Sequence, residues 1–220
     1  DFIDYMDIKR KYKIVFDYLD SIIPFAETEL VYKNPYQLTV SVILSAQCTD
    51  KRVNEITPTF FNRFPSINEL AKANVKEIYK YIKSCSYPNN KAKLLKNMAI
   101  TLQKNYNNII PEDIEELMKI PGIGRKSANV LASILYKKPV IAVDTHVFRV
   151  SKRIGLTPDA KTPLTCEKIL MQNISPEILP KAHHLLILFG RYICMARKPK
   201  CTECQLTRIC DYYNQIIIKK

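Results

Sequence analysis

Residues 119–135 read KIPGIGRKSANVLASIL and contain two of the four glycines in this 220-residue chain. Gly122 and Gly124 sit in a short turn between two stretches of helical pattern, so we predict a hairpin whose second helix begins near Arg125. Both glycines permit positive φ and leave the backbone amides uncovered. Uncovered amides at a helix start can hold a phosphate oxygen or a phosphate-bridging cation. An ordinary helix–helix turn is the alternative, and the cations that follow the turn favour phosphate.

The chain is strongly basic. It has 34 Lys and Arg against 21 Asp and Glu, a net charge of +13. A basic surface of this size favours a polyanionic partner, although a Lys-rich proteome alone would also produce it. No apolar run approaches the roughly 18 residues of a membrane span, and the N-terminus lacks the pattern of a signal peptide. We therefore expect no membrane partner and no secretion signal, and a cytoplasmic, nucleoid-associated protein if it is bacterial.

Apolar residues recur mostly at helical spacing, and Pro- and Asn-rich breaks separate stretches of 10 to 20 residues. The breaks include Asn34-Pro35, Pro58, Phe64-Pro65, Pro88, Pro111 and Pro121. Pro111 suits the first turn of a helix PEDIEELMK. The run at residues 140–143 is either a short strand or a buried entry to the next helix. The chain is thus predicted to be all-α.

Lys126 stands in the first turn after the glycine hairpin, at the edge of an apolar stripe within residues 130–135. We expect its side chain to be partly buried. The positive end of the helix dipole and the neighbouring Arg125 disfavour a further positive charge there. These effects favour the neutral amine that a Schiff-base nucleophile requires. From this pattern alone a solvated surface lysine remains the simpler alternative.

Asp144 lies eighteen residues beyond Lys126, in the stretch AVDTHVFR at residues 142–149. Apolar residues precede it and a helical pattern follows, so its simplest role is a helix N-cap. A carboxylate at this position could also stabilise positive charge on a sugar and move a proton. His146 is a weaker candidate, because an isolated histidine is more often structural.

Four of the seven cysteines, Cys194, Cys201, Cys204 and Cys210, fall within 17 residues. With no secretion signal, a metal site is a better interpretation than a disulfide framework. From ligand type alone, four cysteines suit either structural zinc or an iron–sulfur cluster. The isolated Cys48, Cys85 and Cys166 are interpreted as small buried apolar residues.

Five motifs occur in the order found in endonuclease III, a family of iron–sulfur DNA glycosylase/AP lyases in the helix-hairpin-helix superfamily. They are LSAQCTD (44–50), IPGIGRKSAN (120–129), VDTHVFRV (143–150), HHLLILFGRYIC (183–194) and C-x6-C-x2-C-x5-C (194–210). The chain resembles this family from about residue 28 to residue 210. The cysteine spacing and the interval from Lys126 to Asp144 are the specific signals.

The resemblance implies two all-α domains with the active site between them. Residues 28–138 would form a six-helix barrel with the helix-hairpin-helix motif. Residues 1–27 and 139–220 would form an iron–sulfur cluster domain. The partner would be double-stranded DNA containing damaged pyrimidines or abasic sites, bound by a monomer.

The resemblance also implies an activity, the removal of oxidised pyrimidines followed by strand cutting 3′ to the abasic site. Lys126 would form the Schiff base that allows β-elimination, and Asp144 would stabilise the cationic sugar and assist deprotonation. Gln47 would enter the gap beside the unpaired partner base. Gly122 and Gly124 would hold the DNA backbone.

The same resemblance assigns the cysteines and the loop between them. Cys194, Cys201, Cys204 and Cys210 would ligate a [4Fe-4S] cluster, and the cations Arg197, Lys198 and Lys200 would contact phosphates. Tyr87 falls where the family has an apolar wedge. This loop departs from the family, because Ser86-Tyr87-Pro88 replaces the usual Gly-x-Tyr before Lys-Ala.

Three alternative functions compete. Adenine-removing and thymine-removing mismatch glycosylases share the scaffold but lack the hairpin lysine, so Lys126 argues against them. A non-catalytic helix-hairpin-helix DNA-binding module would explain the charge and the PGIG turn. It would leave Lys126, Asp144 and the four cysteines without a role.

Overall fold

In the computed structural model, residues 7–217 are described, and within this range the chain forms helices and turns without a β-strand. The all-α prediction is therefore confirmed. The chain divides into two compact units, residues 28–137 and residues 1–27 with 138–220. We call them the lysine unit and the cysteine unit. None of the described helices has the length and apolar character needed to cross a membrane.

The lysine unit is built from one continuous stretch of chain. Its helices are α2 (Pro35–Ser45), α3 (Asp50–Arg63), α4 (Ile67–Lys72), α5 (Val75–Ile82), α6 (Pro88–Asn105), α7 (Ile114–Met118) and α8 (Arg125–Tyr136). α6 packs against α4 and α5, while α2 packs against α3, α6 and α8. Leu38, Leu44, Phe60, Leu95 and Met98 are completely buried in its core. Burial of this kind fixes the ends of α2, α6 and α8, where the candidate site residues lie.

The cysteine unit combines an N-terminal helix with the C-terminal part of the chain. Its helices are α1 (Ile8–Ile22), α9 (Thr145–Ile154), α10 (Pro163–Asn173) and α11 (Leu179–Tyr192). Short 3-10 turns follow at Cys201–Glu203 and Thr207–Ile209, and a π-helical turn at Tyr213–Ile217. α11 packs against α1 and α9. A Cβ added to Gly190 would lie 3.0 Å from Val150 Cγ2, so this glycine lets α9 and α11 approach closely.

Three local predictions need correction or resolution. Pro58 lies inside α3 instead of ending it. Pro111 lies outside α7, which begins at Ile114 because the Asp113 side chain caps it by accepting a hydrogen bond from the Glu116 N–H at 3.0 Å. Residues 140–143 form buried irregular chain leading into α9, and not a strand.

Candidate active site and cysteine centre

The glycine hairpin joins α7 to α8 as predicted. The Ile123 N–H donates to the Ile120 carbonyl at 3.1 Å and closes the turn. Gly122 has φ 88°, and a Cβ there would lie 3.3 Å from Ile43 Cδ1. A side chain at this position would be strained in its backbone and tight against α2. Gly122 is therefore required by the fold of the hairpin itself.

Gly124 differs from its neighbour. Its φ of −90° and ψ of −179° are ordinary extended backbone, so this position does not use the positive φ that a glycine permits. A Cβ added to Gly124 would have no other heavy atom within 4 Å. Gly124 is the N-cap of α8, and no side chain of the described residues caps this helix end. The amides at the start of α8 are consequently open to an anion.

Lys126 is the second residue of α8 and is exposed, so the expectation of partial burial is wrong. The buried face of the helix is formed instead by residues such as Ala128, Leu131 and Ala132. The hairpin thus presents the Lys126 side chain to the surroundings in the first turn of a helix whose N-terminal amides are uncapped. An exposed amine of this kind can reach a bound electrophile.

Asp144 is the N-cap of α9, as the sequence predicts. Its Oδ1 accepts a hydrogen bond from the Val147 N–H at 2.8 Å, and the residue is half-buried. The buried run at residues 141–143 leads to it and fixes its position. Nearby, burial lowers the pKa of His146, which favours a neutral imidazole beside Arg149. His146 is thus packed as a structural histidine.

Gln47 and Tyr87 share an uncommon backbone conformation. Gln47 follows the end of α2 with φ 54°, and Tyr87 is the N-cap residue of α6 with φ 53° and ψ 48°. Neither residue type favours the left-handed region, and such strain costs on the order of 1–3 kcal/mol for each residue. Both side chains are exposed, Tyr87 to 65%. Strained, exposed non-glycine residues of this kind are typical of functional loops.

Lys91 is a residue that sequence reasoning missed. It is only 4% exposed, and its ammonium donates to the Leu44 and Ala46 carbonyls, each at 2.7 Å. It also lies 3.1 Å from Ser86 Oγ. The contacts join the end of α2 to the start of α6 across more than 40 residues of chain. Lysine side chains are rarely buried. The sequence around Lys91 contains no pattern that would have predicted its burial.

The four clustered cysteines line one cavity. Its volume is about 30 Å³, and its other walls include Ile154, Phe189 and Leu206. Within residues 7–217, no group of three or more His, Cys, Asp or Glu side chains converges closely enough to hold a single metal ion. The four thiols therefore line the walls of a cavity and do not converge on a single ion position. Burial raises the pKa of the Cys210 thiol to about 11, so a bound metal centre must displace its proton.

Two arginines of α9, Arg149 and Arg153, hold the backbone around this cavity. Arg149 donates to the Gly190 carbonyl at 2.7 Å and to the Cys194 carbonyl at 3.1 Å. Arg153 donates to the Met195 carbonyl at 2.7 Å and lies 3.7 Å from Cys194 Sγ. Their spacing of four residues places both on one face of α9. That spacing in VDTHVFRV is the signal that could have identified them.

The three cations between the first two cysteines are exposed. They are Arg197, Lys198 and Lys200. The loop is turned by Lys198, whose φ is 49°, and is closed by a 3.0 Å hydrogen bond from the Lys200 N–H to the Ile193 carbonyl. Arg153 supports the other side of the loop through the Met195 and Ala196 carbonyls.

Comparison with known proteins identifies the family. Residues 40–176 match the model of the HhH-GPD superfamily base excision DNA repair protein. Endonuclease III of Rickettsia felis is 45% identical over 94% of this chain and 96% of its own, and that of Bacillus subtilis is 41% identical over 91% and 92%. A trapped endonuclease III–DNA covalent intermediate superimposes with a TM-score of 0.92 at 39% identity, covering 96% of this chain and 100% of that one.

These matches agree with the order of motifs along the chain, with the all-helical architecture and with the glycine hairpin. The family model alone spans more than half of the chain, and both bacterial relatives cover nearly all of it. The chain therefore belongs to the HhH-GPD superfamily of base excision DNA repair proteins and, within it, to the endonuclease III family.

Proposed function

We propose that this DNA glycosylase of base excision repair is bifunctional. It removes oxidised pyrimidines and then cuts the strand 3′ to the abasic site through a lysine Schiff base. The observation that carries the proposal is the exposed Lys126, in the first turn of α8 behind an uncapped glycine hairpin. The likeness to a trapped endonuclease III–DNA covalent intermediate supports a covalent mechanism.

In this mechanism the Lys126 amine attacks C1′ of the damaged nucleotide as the base leaves. The resulting Schiff base makes the adjacent sugar protons acidic, and loss of one of them expels the 3′ phosphate by β-elimination. The open amides at Gly124 bind a phosphate oxygen of the DNA backbone near the lysine. A side chain at Gly124 would fit within the protein but would obstruct that approach.

Asp144 is assigned the charge-stabilising role. Its Oδ1 is held by the Val147 N–H, which leaves its second carboxylate oxygen available to a substrate. The carboxylate stabilises positive charge that develops on the sugar and accepts or returns a proton during elimination. Fixing the carboxylate at a helix start orients it before the substrate arrives.

Gln47 and Tyr87 are assigned to the DNA helix itself. Extrusion of the damaged base leaves a gap in the stack and an unpaired partner base. Both side chains are exposed at strained turns within the lysine unit. Tyr87 supplies an aromatic ring that can stack in the gap, and Gln47 offers both a donor and an acceptor to the partner base.

The four cysteines fit a [4Fe-4S] cluster better than a zinc ion. A tetrahedral zinc ion needs four sulfur atoms about 2.3 Å from one point, whereas a cluster spreads its ligands around a larger body. The cysteines here surround a cavity. When bound, the cluster supplies structural cross-linking of residues 194–210. Arg197, Lys198 and Lys200 then contact DNA phosphates from a fixed loop, and the protein acts as a monomer.

Borohydride reduction tests the proposal directly. Wild-type protein incubated with an abasic duplex and borohydride is expected to give a stable protein–DNA adduct, because reduction freezes the imine. Lys126→Ala is expected to give none and to lose strand cutting by several orders of magnitude. Lys119→Ala is the matched control, since it removes an exposed lysine at the other side of the same hairpin.

Binding of an undamaged duplex is measured in parallel by fluorescence anisotropy. Lys126→Ala is expected to bind nearly as well as wild type, because the hairpin amides and loop cations remain. A wild-type protein that forms no adduct would contradict the Schiff-base mechanism. A Lys126→Ala variant that traps equally well would make Lys126 a surface lysine at a phosphate-binding turn.

A further inference from the structure

The two strained loops of the lysine unit are neighbours in space although 40 residues separate them in the chain. Ser86 Oγ donates to the Gln47 carbonyl at 2.7 Å, so the residue just before Tyr87 is bonded to Gln47 itself. Gln47 and Tyr87 have nearly the same φ, 54° and 53°. Two unfavourable conformations side by side require an external support, because neither residue would adopt its conformation unaided.

Lys91 provides that support from both directions. Its backbone N–H donates to the Tyr87 carbonyl at 3.1 Å, within the first turn of α6. Its ammonium donates to the Leu44 and Ala46 carbonyls, the groups left without helical partners at the end of α2. The residue therefore joins the chain just before the Gln47 turn to the residue that carries the aromatic ring.

All hydrogen-bond donors of the Lys91 ammonium are used within the protein. A lysine has three N–H donors, and four acceptors lie within 3.2 Å of Nζ, namely the two carbonyls, Cys85 Sγ and Ser86 Oγ. With 4% of the residue exposed, the group has no surface for a ligand. A buried ammonium is costly unless its hydrogen bonds are satisfied. Lys91 is thus suited to hold loops and unsuited to contact DNA.

We propose that Lys91 is a positioning residue that locks the Gln47 and Tyr87 turns together, so that both side chains enter the DNA as one preformed unit. The inference rests on the proposed function, because it assumes that these side chains fill the gap beside an extruded nucleotide. Preforming the unit avoids ordering two separate loops during base extrusion. Its contribution is confined to substrates in which a duplex must be opened.

The test compares two substrates for Lys91→Met, which keeps the side-chain length and removes the ammonium. One is a duplex with a base-paired oxidised pyrimidine. The other is an abasic site in single-stranded DNA, which has no stack to enter. Single-turnover rates are expected to fall roughly tenfold or more on the duplex lesion. On the single strand they are expected to stay within about twofold of wild type.

Lys96→Met is the matched control. Lys96 also lies on α6 and donates to a helix-end carbonyl, that of Ala73 at 2.8 Å, but away from the two loops. It is expected to leave the ratio of the two rates unchanged. Thermal unfolding establishes that each variant folds. If Lys91→Met does not fold, Ser86→Ala removes the bond to the Gln47 carbonyl from a half-buried position. This variant is expected to slow the duplex lesion more than the single strand, by a smaller factor than Lys91→Met.

Equal losses on both substrates, or no loss on either, would overturn the positioning role while leaving the lyase proposal intact. The same conclusion applies if Lys96→Met changes the ratio as much as Lys91→Met does. A wild-type protein inactive on both substrates would instead remove the proposed function, and this inference with it.

Discussion

The two units hold their candidate residues in different ways. In the lysine unit, the hairpin and both strained turns lie at the ends of α2, α6 and α8. Each of these helices also has core residues that are completely buried. In the cysteine unit, Leu206 is the one residue among 191–215 that is buried. The rest of this cysteine segment contributes partly buried apolar residues, such as Ile193 and Ile209, and polar contacts. The lysine unit therefore has a hydrophobic basis for its site geometry, and the cysteine segment needs another source of stability.

The polar contacts of the cysteine segment come from two helices of its unit. Arg149 and Arg153 bond its carbonyls from α9, and Lys11 forms a 2.8 Å ion pair with Asp211 from α1. Partly exposed contacts of this kind contribute little each, typically about 1 kcal/mol or less. A bound metal centre would contribute far more, because its ligand bonds exist in the folded state alone. The difference between the units thus predicts a different response to metal loss.

The sharpest test compares two aspartates with the same structural task. Asp144 and Asp113 are both N-caps, and each accepts a hydrogen bond from the N–H three residues ahead, at 2.8 Å and 3.0 Å. Asparagine caps helices about as well as aspartate, so both Asn variants should keep their stability. Asp144→Asn is expected to slow base release by roughly 100-fold or more, because the charge is lost.

Asp113→Asn is expected to leave the rate of base release unchanged. Single-turnover rates on a lesion duplex and thermal unfolding of both variants give the comparison. If the two substitutions have the same effect on the rate, Asp144 is a cap and nothing more.

The second effect concerns metal loss. Cys201→Ser removes one of the four thiols around the cavity and is expected to cost the yellow-brown colour and the bound iron. Limited proteolysis should then cut within residues 194–217, while residues 28–137 stay protected by their own core. Cys48→Ser is the control, since Cys48 is a half-exposed thiol of the lysine unit. The sequence interpretation of Cys48 as buried is wrong, whereas Cys85 and Cys166 are buried. Iron analysis and mapping of the cleavage sites measure both outcomes.

A colourless variant that remains protected throughout would show that the polar contacts suffice for the cysteine segment. A wild-type protein that carries stoichiometric zinc and no iron would contradict the cluster. Equal proteolysis of both units would contradict the difference between them.

The sequence was informative where a feature depends on neighbouring residues. The helical architecture, the turn at Gly122, the cap at Asp144 and the proximity of the cysteines follow from spacing and local chemistry. Pro58 and Pro111 misled, because a proline can be accommodated within α3 and because Asp113 is the stronger helix start. These errors shift element ends and leave the fold class unaffected.

Features that depend on distant contacts could not be predicted. The left-handed turn at Gln47 is bonded to Ser86, and the burial of Lys91 is set by carbonyls more than 40 residues away. The exposure of Lys126 depends on which face of α8 the rest of its unit covers. The resemblance to a family identified several of these positions, but it did not give the contacts that place them.

The third effect is on DNA affinity. Replacing Arg197, Lys198 and Lys200 together by Ala is expected to flatten the dependence of binding on salt. Each lost phosphate contact lowers the log–log slope by about 0.9, so the three together lower it by about 2.7. The control variant replaces Lys9, Lys161 and Lys168, three other exposed cations of the cysteine unit, and changes the net charge equally.

Binding of an undamaged duplex is measured from low to moderate salt. Equal slopes for the two triple variants would mean that overall charge, and not the loop, determines affinity. A slope unchanged from wild type in the loop variant would remove the loop from the interface.

The smallest expected effect is on stability, and it tests whether the hydrophobic cores of the two units contribute equally. Among residues 7–217, each unit has one buried tyrosine that donates to a carbonyl, Tyr12 to Leu156 at 2.9 Å and Tyr36 to Phe64 at 2.8 Å. Either Phe variant leaves a buried acceptor without that donor and is expected to lower the free energy of unfolding by about 1–2 kcal/mol. Denaturant titration of each variant measures the loss, with Tyr87→Phe as the control at an exposed ring.

The same tyrosines predict a dependence on pH. Burial raises the pKa of both phenols above the usual value of about 10. The unfolded chain therefore releases these protons first, and wild-type stability should fall as pH rises above about 10. Each Phe variant lacks one such group, so its difference from wild type should shrink over that range. If the difference for Tyr12→Phe stays constant while that for Tyr36→Phe shrinks, the phenol of the cysteine unit is less protected than its burial indicates, and the two cores are not equivalent.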